Sequence, residues 1–187
     1  MLPPGKTSAR ISCKAERGKP MSFNVLFLCT GNSARSILGE AILAMKGAPR
    51  FGAYSAGSTP KGQPHPMALA LLAGHGHDIE GFASKSWDVF AEQAAPKMHL
   101  IVTVCDNAAG ETCPIWPGGP TTVHWSLPDP ADETLSDAEK SRVFSEVYER
   151  LSRRIDEMIA LPVEEMDAPQ LISALDGIPE LKAEARA

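Results

Sequence analysis

The sequence predicts a single α/β domain: a four-stranded, mainly parallel sheet flanked by helices on both faces. Three observations lead there. Short apolar runs of strand length alternate with longer stretches of helical period. Glycine and proline punctuate the junctions. The chain has 187 residues, 43% hydrophobic and 22% charged, which suits one domain with a sizeable core. Strand and helix signals that alternate imply parallel strands joined by crossovers.

The first strand is Phe23 to Cys29, a short apolar run of the kind buried in a parallel sheet. A helix follows from about Ala34 to Lys46, with Ile37, Ala41, Ile42 and Met45 on one face and Gly47 and Pro49 as its stop. Phe51 to Ala56 is the second strand, and Ser58 to Pro66 a loop. Pro66 opens a helix that Gly74 closes. Residues 84 to 97 read as a short helix and a turn. His99 to Cys105 is the third strand, Asp106 to Pro120 a Pro/Gly-rich loop, and Thr121 to Trp125 the fourth strand. Ser136 to Ala160 is a long amphipathic helix with Val143, Phe144, Val147, Leu151, Ile155 and Ile159 in its apolar stripe.

Residues 1 to 20 are basic, contain proline and show no period, so they read as a disordered leader in which Cys13 is incidental. Residues 21 to 162 form the main domain. Residues 163 to 187 form a C-terminal helical extension, with a helix expected between Asp167 and Lys182.

A net charge of −5 argues against nucleic acid as the main partner. It permits a small anion, because local N–H groups and one arginine outweigh a mildly negative global field. No apolar run reaches the ~18 residues of a membrane helix, and the N-terminus lacks a signal-peptide core. A cytoplasmic location without membrane contact is the expectation. The five histidines read as structural or surface residues.

In such folds ligands sit beyond the carboxyl ends of the strands. Cys29 ends the first strand, Cys105 ends the third, and Asp129 follows the fourth. Cys29-Thr30-Gly31-Asn32-Ser33-Ala34-Arg35-Ser36 lies between a strand and a helix. There its N–H groups and the helix dipole favour an anion. Gly31 is expected to supply the turn, Asn32 to hold the loop, and Arg35 to clamp two oxygens of a tetrahedral anion. The same field should lower the pKa of Cys29, with Ser36 hydrogen-bonding its thiolate. Asp129, held by Pro130, is the candidate general acid and Asp132 the substitute.

The segment Val25 to Ser36 resembles the active-site segment of the low-molecular-weight protein tyrosine phosphatase family. Within that family the chain is most similar to the arsenate reductases that share the fold. Tyr54-Ser55-Ala56-Gly57, the segment around Cys105 and Cys113, and Trp125 through Asp129-Pro130 carry the same resemblance. It implies a phosphatase-like four-stranded sheet with arsenate or phosphate in the loop.

The cysteine pair separates reductase from phosphatase, since reducing arsenate takes two electrons and a dithiol supplies them by becoming a disulfide. The resemblance implies an order: Cys29 forms an arseno-adduct, Cys105 attacks Cys29, and Cys113 attacks Cys105. The Asp106–Thr112 loop must move for that relay. A thioredoxin or glutathione/glutaredoxin reductant then resets the pair, and no bound cofactor is implied. The alternative is a phosphatase hydrolysing phosphomonoesters. Against it, Ala131 and Asp132 stand where the family's phosphatases carry tyrosines. Some related reductases bind potassium, and Asn32, Glu40 and Ser55 match three of its ligand groups. The fourth position carries Lys85, or Ser84 if the alignment slips by one. A lysine ammonium replaces the ion, so no metal is expected.

Overall fold

The computed structural model describes residues 22–110 and 115–178. The expected leader, with Cys13, and Cys113 lie outside them. Four strands form one fully parallel sheet in the order β2-β1-β3-β4: β1 (Phe23–Leu28), β2 (Phe51–Ala56), β3 (Leu100–Thr103) and β4 (Thr121–His124). β1 and β3 are the central pair, and both are almost wholly buried. That is why they read as continuous apolar runs rather than alternating ones.

Side chains of the central strands still divide by the period of two. Val25, Phe27, Leu100 and Val102 enter the larger core with helices α1 (Arg35–Gly47), α4 (Asp137–Ala160) and α5 (Ala168–Asp176). Leu26, Leu28 and Ile101 face the other way. A 3₁₀ helix (Trp87–Phe90) and Trp116 cover them there.

α1 buries Ile37, Leu38, Ala41, Ile42 and Leu43 between the sheet and α4. Burying each such leucine or isoleucine contributes about 1.5–3 kcal/mol. Gly39 is required in α1, because a Cβ there would sit 2.7 Å from the Phe27 ring. The short α2 (Pro66–Gly74) spans the residues expected, with proline at its start. α4 begins in a reciprocal cap: Ser136 Oγ accepts from Glu139 N–H, and Glu139 Oε2 accepts from Ser136 N–H at 2.8 Å.

Two readings need correction. The loop expected after Cys105 begins instead as a five-residue helix, α3 (Asp106–Gly110). The helix expected between Asp167 and Lys182 is described only over Ala168–Asp176. There Leu171 and Leu175 join Val123 of β4 and Trp125 in the core.

Candidate active site

Cys29 leaves the carboxyl end of β1 at the middle of the sheet, so the following loop opens at the sheet edge. Chain behind the loop takes up its carbonyls. Thr59 N–H donates to Thr30 O at 2.9 Å, Lys61 N–H to Gly31 O at 3.0 Å, and His65 N–H to Ser33 O at 2.7 Å. Among the described residues no acceptor takes the N–H groups of Gly31, Ser33 or Ala34. Those donors are available to an anion at the start of α1.

The left-handed residue in the loop is Asn32, with φ of 40°, and not Gly31 as the sequence suggested. Asparagine tolerates that region because its short side chain bonds locally. Here the side chain is fully buried and well used. Nδ2 donates to Ser36 Oγ at 3.0 Å and Ser55 Oγ at 2.9 Å, while Oδ1 accepts from Lys85 N–H at 2.7 Å. Gly57 backs the loop so closely that a Cβ would lie 2.5 Å from Thr30 O and 2.6 Å from Cys29 O.

Arg35 is fixed before any substrate arrives. Nη1 donates to Leu127 O at 3.1 Å, and Nη2 pairs with Asp129 Oδ2 at 3.2 Å. Its buried Nε has no partner among the described residues. Asp129 Oδ1 also accepts from Ala131 N–H at 3.1 Å, which orients the carboxylate at the pocket mouth. Asp132 is spent elsewhere: it caps its own turn, accepting from Thr134 N–H at 2.9 Å, and does not line the pocket.

The loop, Arg35 and Asp129 line a pocket of about 370 Å³ that also includes Thr59, Pro60, Lys61, Asn107 and Ala131. Two other clefts of about 420 Å³ are larger, but neither contains a cysteine. Chemistry, not size, selects the smaller one. Sequence reading missed Thr59, Lys61 and Asn107. The usable signal was position: the loop after β2 and the start of α3 reach the same sheet edge.

Cys29 and Cys105 are both buried free thiols, and each shifts the ionisation of the other. Cys105 sits at the start of α3 as its cap. Its sulfur accepts from Ala108 N–H and Thr30 N–H, both at 3.4 Å, with Thr30 Oγ1 at 3.7 Å. Ser36 Oγ donates to Cys29 Sγ at 3.6 Å.

Two thiols coupled in this way ionise in two separated steps. The hydrogen bond from Cys29 and the backbone donors pull Cys105 down to about 5. The bond to Cys105 and burial push Cys29 well above its ordinary value, against the lowering by Ser36 and Arg35. This corrects the expected depression at Cys29. In the substrate-free site the negative charge rests on Cys105, where more donors converge. Cys105 Sγ already lies against Thr30, the residue that follows Cys29.

Behind the loop, Lys85 Nζ lies 3.5 Å from Glu40 Oε2, and Ser55 Oγ donates to the same carboxylate. Burial raises the Glu40 pKa, and Ser55 and Lys85 oppose that rise. No cluster of three or more His, Cys, Asp or Glu side chains suited to a metal ion occurs among the described residues. The histidines serve structure: His65 caps α2, His77 Nε2 pairs with Tyr148 OH at 2.8 Å, and His99 Nδ1 accepts from Asn24 N–H at 2.9 Å. No helix among the described residues is long and apolar enough to cross a membrane.

An edge of this shape receives a tetrahedral oxyanion and presents sulfur to it, which places the protein among thiol-dependent oxyanion enzymes. More narrowly, the chain belongs to the low molecular weight phosphotyrosine protein phosphatase family, whose model matches residues 24–168. An arsenate reductase of Halalkalibacterium halodurans is 34% identical over 131 residues, covering 70% of this chain and 91% of that protein. One from Bacillus subtilis is 32% identical over 133 residues, covering 71% and 92%. Among solved structures, an arsenate reductase in its phosphate-binding state superposes with a TM-score of 0.57 at 26% identity, covering 73% of this chain and 96% of the other. A thioredoxin-dependent arsenate reductase of Corynebacterium glutamicum matches with a TM-score of 0.57 at 25% identity, covering 75% of this chain and 63% of that one.

Proposed function

We propose that this protein reduces arsenate to arsenite, with Cys29 as nucleophile and Cys105 and Cys113 as the thiol relay. The observation that carries the proposal is a second buried free thiol, Cys105, whose sulfur accepts from Thr30 N–H at 3.4 Å, one residue from Cys29 in the pocket that Arg35 lines. Phosphate-ester hydrolysis needs one thiol there, whereas a two-electron reduction needs two. The names of the relatives support the same reading.

The oxyanion enters the N–H groups of Gly31, Ser33 and Ala34 and competes with Asp129 for Arg35. Cys29 hands its proton to its partner Cys105 and attacks arsenic. An S–As bond forms, an As–O bond breaks, and the oxygen leaves as water with a proton delivered through Asp129. Cys105, deprotonated again, attacks the Cys29 sulfur. The S–S bond forms as the S–As bond breaks, and arsenic keeps the electron pair, passing from As(V) to As(III). Cys113 then displaces Cys29 from Cys105. An external dithiol of the thioredoxin or glutaredoxin kind reduces the Cys105–Cys113 bond.

The test is arsenate-dependent NADPH oxidation with thioredoxin and thioredoxin reductase, repeated with glutathione and glutaredoxin. Turnover in either system supports the proposal and names the reductant. Silence in both, with hydrolysis of an aryl phosphate, assigns the site to phosphomonoesters instead.

The loop needs no bound potassium in this reading. The Lys85 ammonium beside Glu40 supplies the positive charge that an ion would bring to Asn32, Glu40 and Ser55. Titrating potassium against sodium at constant ionic strength should leave the melting temperature and rate unchanged. A saturable gain specific to potassium would overturn this.

A further inference from the structure

We infer that Lys61 is a second cationic ligand for the oxyanion, taking up negative charge that Arg35 cannot. The inference rests on the oxyanion reading of the loop.

Lys61 follows β2, on the chain behind the loop. Its backbone N–H donates to Gly31 O at 3.0 Å. Its side-chain stem lies over Gly31, where an added Cβ would sit 3.4 Å from both Cγ and Cε. The residue lines the same pocket as Cys29, Arg35 and Asp129. Gly31 thus has a use other than a left-handed turn: it leaves room for the lysine stem.

The charges decide what this lysine does. Lys46, Lys85 and Arg50 each have a carboxylate partner. The Lys61 ammonium has none among the described residues. Arg35 is already matched by Asp129. Lys61 therefore supplies the pocket's surplus positive charge. A phosphoryl group carries about −1.5 to −2 charges near neutral pH, and arsenate is its close analogue. Such an anion needs more than one cation. The pocket therefore selects a multiply charged, small tetrahedral anion, with Arg35 at its base and Lys61 at its rim.

Two variants of the full, reduced chain separate charge from packing. Lys61→Met keeps the stem over Gly31 and removes the charge, while Lys61→Arg keeps the charge. Inorganic phosphate binding is measured by calorimetry, and arsenate kcat and KM by turnover. In Lys61→Met the phosphate Kd and arsenate KM should rise about fivefold, the scale of one solvent-facing charge pair. kcat should fall by much less, and affinity should depend less on ionic strength. Lys61→Arg should restore binding. An unchanged phosphate Kd in Lys61→Met, or equal losses in both variants, overturns the inference. Phosphate binding is read without turnover, so a failed reductase assay leaves this test intact.

Discussion

Cys105→Ser should lose arsenate turnover by roughly 10³-fold or more with every reductant, while hydrolysis of any aryl phosphate survives. Without Cys105 the arseno-adduct on Cys29 has no neighbouring sulfur to displace it, and arsenic cannot leave with the electron pair. The same variant should change how Cys29 titrates. In the wild-type pair, the first proton leaves near 5 and the second well above a thiol's ordinary range. Between those limits the pair carries one negative charge. The bond to Cys105 is the largest cause raising Cys29, so its removal leaves burial opposed by Ser36 and Arg35. The Cys29 ionisation should therefore move down, and ultraviolet thiolate absorbance against pH should show the step near 5 lost. Arsenate turnover within tenfold of wild type would mean that another thiol resolves the adduct.

Cys29→Ala should be more damaging still, at roughly 10⁴- to 10⁶-fold in turnover, the usual loss on deleting a nucleophile. The Asn32-centred loop and Arg35 do not depend on that sulfur for their positions. Phosphate binding should persist, and its calorimetric measurement checks that the fold and cradle remain. Cys105 tells a further story, because the hydrogen bond from Cys29 is the largest cause of its depression. In Cys29→Ala its thiol should titrate above 5, held down only by the Ala108 and Thr30 donors. A step left at 5 would show that the helix cap alone depresses it.

Much of this was readable in the sequence. Phe51–Ala56 and Pro66–Gly74 match their expected bounds because strong local signals frame them. The shared edge of Cys29, Cys105 and Asp129 follows from strand ends alone. The short α3 was not legible, since Asp-Asn-Ala-Ala-Gly has no period to detect. Its cause is the Cys105 sulfur bonding Ala108 N–H. The left-handed residue was assigned to glycine by propensity, but the bonds of buried Asn32 to Ser36, Ser55 and Lys85 decide it. Ser55 and Lys85 come from distant segments. The charge on Cys105 was hidden for the same reason: a loop field can be argued from spacing, whereas coupling between two thiols 76 positions apart cannot.

The packing of α5 bears on self-association. β4 is an outer strand of the sheet, and an outer strand offers unpaired backbone to any chain that can lie beside it. Leu171 and Leu175 share the core with Val123 and Trp125 at that border. A chain cut before α5 would bare an apolar margin next to open backbone, and copies could add to one another strand by strand. By covering that margin, α5 leaves an incoming chain no apolar surface to bury there.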